Sequence, residues 1–331
     1  MFNFLICLIL INILKSEKYK ISVIIPIYRA RRYLRECMKS IINQTLKEIQ
    51  IICINDESPD SSLFILEEFA KNDKRILIKN IKHSGISSAR NEGLKYVEGE
   101  YLGFMDDDDF IDPEQYEKMY EYAKKDDCDF VGFGDVRFKE GINQIKYNNI
   151  VKLNYSDSIV NTTKYFKNYK NEIWNKIYKT KIIKENGIKF FPIGAEDLHF
   201  NLQFYPFVKR HKFINTTSYY YRLKKRVLYR RRHYLFNKSE IFFNSLNEFY
   251  HKIELDKKDP ILFLHLFFSA YQNLYYAEDL KLNVIYLKIF FNILEKLEIF
   301  NKNNIEKMPK DNIEFYHYIF NAYNEKKKED L

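Results

Sequence analysis

Four consecutive aspartates, Asp106, Asp107, Asp108 and Asp109, directly follow YLGFM, which has the composition of a buried strand. Like charges this close repel one another unless a cation neutralises them. Asp106 and Asp108 alternate along the chain, so in an extended conformation their carboxylates would point the same way. Carboxylates with room for water and phosphate oxygens suit Mg²⁺ or Mn²⁺. The pattern therefore predicts a divalent-cation site at Asp106 and Asp108.

Other roles compete with metal binding at this position. An acidic loop tip is common, although a tip seldom follows a buried strand. An EF-hand calcium loop needs glycine at its sixth position, where this sequence has Ile111. Asp109 and Asp112 are also candidates for capping the next helix, and we expect them to be structural.

Apolar runs and helical patterns alternate through the first third of the chain. ISVIIPIY, IQIICIN, RILIKN and YLGFM predict buried strands, because they are apolar and rich in β-branched residues. Between them, RRYLRECMKSIINQ, SSLFILEEFAKN and ISSARNEGLKYV carry apolar residues at helical spacing. Short strand–helix links imply right-handed crossovers, so we expect an α/β domain with a mostly parallel central sheet flanked by helices.

Ligands of open parallel sheets bind beyond the carboxyl ends of the strands. Tyr28 follows the first predicted strand and Asp56 follows the second, so both should lie at the edge where the aspartates emerge. Farther along, CDFVGFGDVRF predicts a strand, and EIWNKIYKTKIIKENGIKF predicts a helix that ends at Gly187. FPIGAEDLHFNLQFY predicts a loop entering a helix, with Glu196 and Asp197 in its first turn.

The composition is that of a globular protein, with 331 residues, 46% hydrophobic and 30% charged. Every glycine lies at or before Gly194, so the last third is predicted to be helical. The four cysteines have no CxxC or metal spacing, which predicts buried thiols in a reducing compartment. The apolar start MFNFLICLILINIL is shorter than the roughly 20 residues of a spanning helix and lacks a signal peptide's basic start, so we expect no membrane span.

The net charge of +9 fits nucleic acid, an anionic membrane or phosphate-bearing ligands. No zinc, helix-turn-helix or RNP pattern is present, so we expect no nucleic-acid partner. GxGxxG after the first strand and GxxxxGK[ST] are both absent, which argues against a nicotinamide dehydrogenase and a P-loop enzyme. Much of the charge lies among the tyrosines of residues 209–233. We hypothesise that this stretch docks on the inner leaflet of the membrane; a solvated helix face with core tyrosines is the alternative.

Five stretches, in order and at matching spacing, resemble the family 2 glycosyltransferases of the GT-A fold. The resemblance implies a Rossmann-like domain, and the glycine-free last third is predicted to add a helical C-terminal extension. It also implies transfer of a sugar from a nucleotide-diphospho-sugar, most simply a UDP-sugar, to a hydroxyl of a glycan or lipid-linked acceptor in bacterial surface-polysaccharide synthesis. The matching stretches are SVIIPIYRARRYLRECMKSIINQTLKEIQIICINDESPDSS, HSGISSARNEGL, GEYLGFMDDDDFIDP, WNKIYK and IGAEDLHFNLQF.

On this basis the transferase domain would span residues 18–225. Its nucleotide-binding half would cover about 18–125 and its acceptor half about 126–225. A short apolar segment, 1–17, would precede it, and a helical region, 226–331, would follow. We expect a cytoplasmic enzyme that is peripheral on the inner face of the membrane.

The resemblance also implies a role for individual residues at the nucleotide end. Pro26 and Tyr28 would flank the nucleobase, and Asp56 would accept a hydrogen bond from its edge. Arg90 would face the diphosphate or its neighbouring aspartates. Asp106 would reach the ribose or the metal.

Further roles follow for the metal, the base and the acceptor. Asp108 would hold Mg²⁺ or Mn²⁺, and Asp107 would add charge beside it within the donor site. Asp197 would be the catalytic base of an inverting reaction, with Glu196 either beside it or capping the helix. The residues of WNK, which are Trp174, Asn175 and Lys176, would border the acceptor side, or Trp174 would be a packing anchor.

The sequence departs from the family pattern at several positions. Arg29 stands where the family usually has asparagine, Glu57 where glycine is common, and Asp107 where a small residue often sits. Glu57 is expected to change the backbone of its turn. These departures keep a rival function open, a transferase-like domain that binds nucleotide without turnover. His83 and His199 have no partner at metal spacing, and we treat both as structural or solvent-facing.

Overall fold

The computed structural model describes residues 19–139, 171–193, 195–223, 239–275 and 301–307, together with 317, 319–321 and 324. The chain divides into two compact units, each assembled from separate stretches. The first contains Met1–Asp157, Ile173–Lys189 and Arg210–Lys225, and the second contains Ser158–Glu172, Phe190–Lys209 and Arg226–Leu331.

One eight-stranded sheet runs through the first unit. Its strands are β1 (Ile21–Ile27), β2 (Ile49–Asp56), β3 (Ile76–Ile81), β4 (Tyr101–Phe104), β5 (Phe110–Ile111), β6 (Phe130–Lys139), β7 (Lys176–Lys179) and β8 (His211–Leu223). The order is β3-β2-β1-β4-β7-β6-β8-β5. Neighbouring strands among β1 to β4 are parallel, and β6 is parallel to β8. β7 is antiparallel to both β4 and β6, and β5 is antiparallel to β8. The predicted α/β sheet is confirmed.

Helices cover both faces of the parallel strands, because β1 and β2 are buried at every position and need apolar cover on each side. On one face, Met38 of the first helix packs in the same core cluster as Val23 of β1. On the other, Gly93 lies so close to β1 that an added Cβ would be 2.6 Å from Ile24 Cγ2. The helices of this unit are α1 (Leu34–Ile42), α2 (Ser62–Ala70), α3 (Ile86–Leu94), α4 (Gln115–Lys125) and α5 (Thr180–Asn186).

The helix expected over EIWNKIYKTKIIKENGIKF is wrong in its first half. Lys176–Lys179 form β7, and Thr180–Asn186 form α5. Gly187 ends α5 in the left-handed conformation (φ 62°, ψ 33°), which confirms the predicted C-cap. β7 pairs with β4 on one side and β6 on the other, and this pairing outweighs the helical spacing of a short segment.

The described part of the second unit is helical. Aromatic side chains fill the contacts between its helices; the rings of Phe243 and Phe267 have centroids 5.3 Å apart, and those of Tyr250 and Phe263 are 5.4 Å apart. For these residues the predicted helical C-terminal region is confirmed. The elements are α6 (Glu196–Phe204), a 3₁₀ turn (Tyr205–Phe207), α7 (Ser239–Lys252), α8 (Leu255–Lys258), α9 (Pro260–Tyr275) and α10 (Lys302–Glu306).

His199 is a fully buried structural residue of this unit. Its Nδ1 lies 2.9 Å from Gln203 Nε2, and its Nε2 lies 2.8 Å from Ser245 Oγ. Ser245 Oγ itself donates to the carbonyl of Phe242 at 3.0 Å. We therefore assign a neutral imidazole whose Nε2–H donates to Ser245 and whose Nδ1 accepts from Gln203. Burial lowers the pKa of His199 to about 3.

Acid should therefore destabilise the fold through His199. An unfolded histidine binds a proton near pH 6.5, whereas the folded pKa of His199 is about 3, so stability is complete above pH 6.5 and is lost as the pH falls towards 3. At pH 5 the expected loss is about 2 kcal/mol. Urea unfolding at pH 7 and pH 5 would measure it. His199→Gln should show a smaller difference between the two pH values, and an equal difference would contradict the assignment.

Two further predictions from composition can be compared with the structure. Within the described residues, no helix combines the length and the apolarity required to cross a bilayer, and the apolar N-terminal stretch lies outside them. Cys37, Cys53 and Cys128 are buried thiols without disulfide bonds, which confirms their predicted packing role. Cys7 lies outside the described residues.

Candidate active site

The carboxyl ends of β1 to β4 bring polar side chains to one edge of the sheet. Tyr28 follows β1, Asp56 ends β2, His83 follows β3, and residues 106–109, here called the acidic turn, follow β4. Tyr28 N donates to Asp107 Oδ2 at 3.1 Å, and His83 Nδ1 lies 2.9 Å from Asp56 Oδ2. The structure therefore places these sequence-predicted residues beside one another, together with His83, which the sequence analysis treated as structural or solvent-facing.

Asp56 is buried and anchors the turn that precedes α3. Its Oδ1 accepts from Ser84 N at 2.8 Å, and its Oδ2 accepts from Gly85 N at 2.9 Å. Gly85 has φ 89°, a conformation that favours glycine, and it is the N-cap of α3. Each carboxylate oxygen can accept more than one hydrogen bond. Asp56 thus shapes the edge of the site through the backbone, and its contact with a nucleobase stays a prediction.

His83 stacks on Tyr28, with ring centroids 4.2 Å apart and an interplanar angle of 15°. Tyr28 is 37% exposed, and the guanidinium of Arg29 lies 5.2 Å from the centroid of its ring. Pro26, the other predicted wall of the nucleobase site, is a buried residue of β1 opposite Ile54. The signal for His83 in the sequence is its place in the short loop after the predicted strand RILIKN, at the same edge as Tyr28.

Arg29 and Glu57 hold left-handed backbone conformations, with φ 56° and 51°. These are the positions where the family usually has asparagine and glycine, the residue types that tolerate this region best. The expectation that Glu57 changes the turn is therefore wrong, because the chain keeps a glycine-like backbone there. Glu57 Oε2 accepts from His83 N at 3.0 Å, and Arg29 N donates to Ser58 Oγ at 2.8 Å. These bonds tie both residues to their neighbours.

The acidic turn is a turn and not the extended segment expected from the alternation of Asp106 and Asp108. Asp109 N donates to the carbonyl of Asp106 at 3.3 Å, which closes the chain on itself. The side chain of Asp106 is 26% exposed, and Asp107 and Asp108 are half-buried. The turn still presents its carboxylates at the edge of the sheet, beside Tyr28.

Asp109 is the buried member of the turn. Its Oδ2 accepts from the Tyr219 hydroxyl at 2.9 Å, and its Oδ1 accepts from Arg222 N at 2.8 Å. Burial, followed by the nearby charges of Asp106 and Asp108, raises the pKa of Asp109 to about 9. The expected helix-capping role is wrong for Asp109, since its carboxylate bonds to β8.

Asp112 does not act as the predicted side-chain cap either. The N-cap of α4 is Glu114, and no side chain caps this helix. The backbone carbonyl of Asp112 accepts from Gln115 N at 3.2 Å, and its N–H donates to the carbonyl of Ser218 at 2.9 Å. Asp112 therefore contributes through its backbone, because the chain pairs with β8 before α4 begins.

Arg90 joins α3 to the acidic turn. It is 2% exposed, and its Nη2 lies 3.2 Å from Asp106 Oδ1. The sequence predicted that Arg90 faces either the diphosphate or the neighbouring aspartates, and the structure shows its contact with Asp106. The fixed positive charge offsets part of the repulsion within the turn, because opposite charges at this distance attract strongly where water is scarce.

The acidic turn fits a divalent cation that is completed by phosphate oxygens. Among the described residues, no group of three or more His, Cys, Asp or Glu side chains is arranged to hold a metal by itself. Mg²⁺ usually takes only one or two protein carboxylates together with substrate phosphates and water. Asp106 and Asp108 have carboxylate side chains, which are hard oxygen ligands of that kind.

Glu196 and Asp197 begin α6 in the second unit, as predicted. Both are of intermediate burial and occupy the first helical turn, where the helix dipole favours negative charge. The preceding Ala195 has φ 59°, so the chain enters α6 through a strained residue. The assignment of Asp197 as catalytic base stays a prediction.

The WNK motif lies in and beside β7. Trp174 is 3% exposed and stacks on Tyr219 with ring centroids 4.3 Å apart, so it is a packing anchor of the first unit. Asn175 and Lys176 are also buried, and Lys176 Nζ donates to Asn175 Oδ1 at 2.7 Å. Contact of these residues with an acceptor stays a prediction.

The basic stretch at residues 209–233 is a strand where it is described, not a helix face. Lys212 Nζ lies 2.8 Å from Asp126 Oδ2, and Arg222 pairs with Glu36. Tyr219 of this strand is fully buried, as a core tyrosine would be. The membrane-docking hypothesis therefore depends on residues 224–233, which lie outside the described part of the chain.

The family follows from comparison with known proteins. The sequence profile described as Glycosyl transferase family 2 matches residues 22–191, more than half of the 331-residue chain. The chain belongs to this family. The family 2 profile covers the edge residues of β1 to β4, the acidic turn and the WNK motif.

Relatives and solved structures agree with this membership. Glycosyltransferase GlyA of Streptococcus pneumoniae is 32% identical over 216 residues, 62% of this chain and 31% of GlyA. The poly(ribitol-phosphate) beta-glucosyltransferase of Bacillus spizizenii is 30% identical over 215 residues, 62% of this chain and 32% of that protein. The chain thus matches about a third of the length of each of these two relatives.

The fold is shared with S. aureus TarS. The structure of TarS 1-349 in complex with UDP-GlcNAc superposes with a TM-score of 0.67 at 19% identity, covering 92% of this chain and 88% of that one. At this identity the likeness concerns the fold alone. It confirms the GT-A-type α/β fold predicted from the sequence.

Proposed function

We propose that this family 2 protein is a glycosyltransferase that moves a sugar from a nucleotide-diphospho-sugar to a hydroxyl of a glycan or lipid-linked acceptor in surface-polysaccharide synthesis. The observation that carries the proposal is the meeting of Tyr28, Asp56 and the acidic turn at one edge of a parallel sheet. A UDP-sugar is the simplest donor, since TarS, which shares the fold, binds UDP-GlcNAc.

In this proposal the donor lies along the sheet edge. Tyr28 stacks on or flanks the nucleobase, with Pro26 behind it, and Asp56 accepts a hydrogen bond from the base edge. The acidic turn lies at the diphosphate end, where Arg90 balances part of its charge. Asp106 would contact the ribose or a divalent cation, Asp108 would hold that cation, and Asp107 would complete the donor site. Bound Mg²⁺ or Mn²⁺ would act as a Lewis acid that stabilises the leaving diphosphate.

The reaction that follows is a single displacement. The acceptor oxygen bonds to the anomeric carbon on the face opposite the diphosphate, and the bond between that carbon and the phosphate oxygen breaks. The diphosphate leaves with the electron pair, and the acceptor proton passes to Asp197. A carboxylate within hydrogen-bond reach of the hydroxyl is sufficient for this role. The product has the inverted configuration.

A donor screen tests the proposal. UDP-, GDP- and dTDP-sugars are added with and without Mn²⁺, and thermal unfolding is followed together with release of the nucleoside diphosphate. A ligand at about 100 times its Kd adds ~2.7 kcal/mol to the free energy of unfolding. We expect Mn²⁺-dependent stabilisation by one nucleotide class, with turnover. Stabilisation without turnover would favour the non-catalytic rival, and no stabilisation by any donor would overturn the proposal.

We also propose that the enzyme acts in the cytoplasm at the inner membrane surface. The support is the run of Lys and Arg in residues 224–233, since each basic residue near an anionic surface contributes about 1 kcal/mol. Flotation with vesicles of neutral lipid, and of neutral plus anionic lipid, measures the binding. Equal recovery with both vesicles would rule the surface out.

A further inference from the structure

The hydroxyl of Tyr219 joins both ends of the acidic turn. It accepts a hydrogen bond from Asp106 N at 3.1 Å and donates one to Asp109 Oδ2 at 2.9 Å. One buried oxygen therefore fixes the backbone where the turn begins and the side chain where it ends. The residues between these two points include Asp108, the predicted ligand of the cation.

Packing leaves this hydroxyl little freedom. Tyr219 is fully buried in β8, and its ring lies against Trp174 with centroids 4.3 Å apart and planes 15° from parallel. Phe133 of β6 contacts the ring at a centroid distance of 6.4 Å. In addition, Tyr219 pairs with Ile111 of β5, the strand that follows the acidic turn. The ring therefore packs against two aromatic side chains, and the backbone of Tyr219 is held by strand pairing.

The same strand holds the turn at two more points. Arg222 N donates to Asp109 Oδ1, and Arg222 Nε donates to the carbonyl of Asp108, each at 2.8 Å. Arg222 itself is 7% exposed. β8 thus fixes the position of a turn whose charges repel one another. Such fixation matters because sites for ions and phosphates work only when their ligands are held within about 0.5 Å.

We infer that Tyr219 is a positioning residue that fixes the acidic turn in the geometry required for the nucleotide-sugar and its cation. The inference rests on the proposed function. Tyr219 does not touch the donor, and it acts through Asp106, Asp109 and the backbone between them. A purely structural tyrosine would support the core equally well without its hydroxyl.

Tyr219→Phe separates the two roles, since it keeps the ring and removes the hydroxyl. Tyr116→Phe is the matched control, because Tyr116 is also buried in the first unit and its hydroxyl makes no hydrogen bond among the described residues. The measurements are the Kd of UDP with and without Mn²⁺, by calorimetry, and the thermal midpoint without ligand. These readouts do not depend on turnover.

Tyr219→Phe should weaken UDP binding in the presence of Mn²⁺ by about tenfold, with a smaller change in its absence. Tyr116→Phe should stay within about twofold of wild type in both conditions, the scatter expected of a change remote from the site. Equal Mn²⁺-dependent affinities in the two variants would overturn the inference. Failure of the wild-type chain to bind UDP with Mn²⁺ would instead overturn the proposed function.

Trp174→Phe covers the case in which Tyr219→Phe does not fold. It keeps the hydroxyl and loosens the ring that carries it, because the smaller ring leaves part of the stack unfilled. The affinity for UDP in the presence of Mn²⁺ should fall, whereas the affinity without metal should stay unchanged. Unchanged Mn²⁺ dependence in folded Trp174→Phe would also contradict a positioning role.

Discussion

Replacing Asp197 by asparagine is expected to slow sugar transfer by about 10²- to 10⁴-fold, which is the usual contribution of a positioned general base. Asparagine keeps the size of the side chain but cannot take the acceptor proton. Donor binding should be unchanged, because Asp197 is assigned to the acceptor and not to the nucleotide. The measurements are the rate of nucleoside diphosphate release in the presence of acceptor, and the Kd of the donor in its absence.

Glu196→Gln is the control for this experiment. Glu196 and Asp197 are neighbours in the first turn of α6, so both substitutions remove one negative charge from the same end of the helix. Glu196→Gln should retain most of the activity. Equal losses in the two variants would show that the charge at the helix end matters and not the base. Near-wild-type turnover of Asp197→Asn would show that Asp197 is not the catalytic base.

The central strands could be predicted because one physical effect dominates there. β1 and β2 are buried at every position, and only an apolar run satisfies that environment. The polar residues that follow the carboxyl ends of these strands are therefore expected to lie close together. The meeting of Tyr28, Asp56 and the acidic turn follows from the predicted parallel sheet, since the strands of such a sheet end at the same edge.

β7 could not be predicted, because the conformation of its four residues depends on pairing with strands that are distant in sequence. Lys176 to Lys179 have neither a long apolar run nor strict alternation, and the segment that follows is a true helix. Pairing with β4 and β6 decides the conformation, and both partners lie far away in sequence. Tertiary pairing overrides local propensity in such short segments.

The role of Asp109 was missed for a similar reason. A carboxylate before a helix is an ordinary capping candidate, and nothing local indicates a tyrosine hydroxyl and a backbone N–H from more than 100 residues away. The place of His83 in the site was missed because a single histidine has no spacing pattern, so the sequence analysis treated it as structural or solvent-facing. Its stacking on Tyr28 and its bond to Asp56 depend on β2 and β3 lying side by side.

Asp108→Asn is expected to abolish the Mg²⁺- or Mn²⁺-dependent part of donor binding and to lower kcat/KM by about 10²- to 10³-fold. A Lewis acid behind a leaving diphosphate contributes several kcal/mol to the rate, and each 1.36 kcal/mol is tenfold. The fold should persist, because the substitution keeps the backbone carbonyl of Asp108, which accepts the hydrogen bond from Arg222 Nε. Chelation of the wild-type enzyme with EDTA should give the same loss, and added Mn²⁺ should restore only the wild type.

Asp127→Asn is the matched control, since it removes one carboxylate from the same unit at a position that is 72% exposed. Asp127 has φ 47°, a conformation that asparagine accepts readily, so the variant should fold and should bind donor with normal metal dependence. Two results would show that the acidic turn does not hold a cation. One is activity that survives exhaustive chelation, and the other is a donor Kd of Asp108→Asn that still changes with Mn²⁺. The crowding of its carboxylates would then be balanced by Arg90 and by protonation of Asp109, whose pKa of about 9 already allows it at neutral pH.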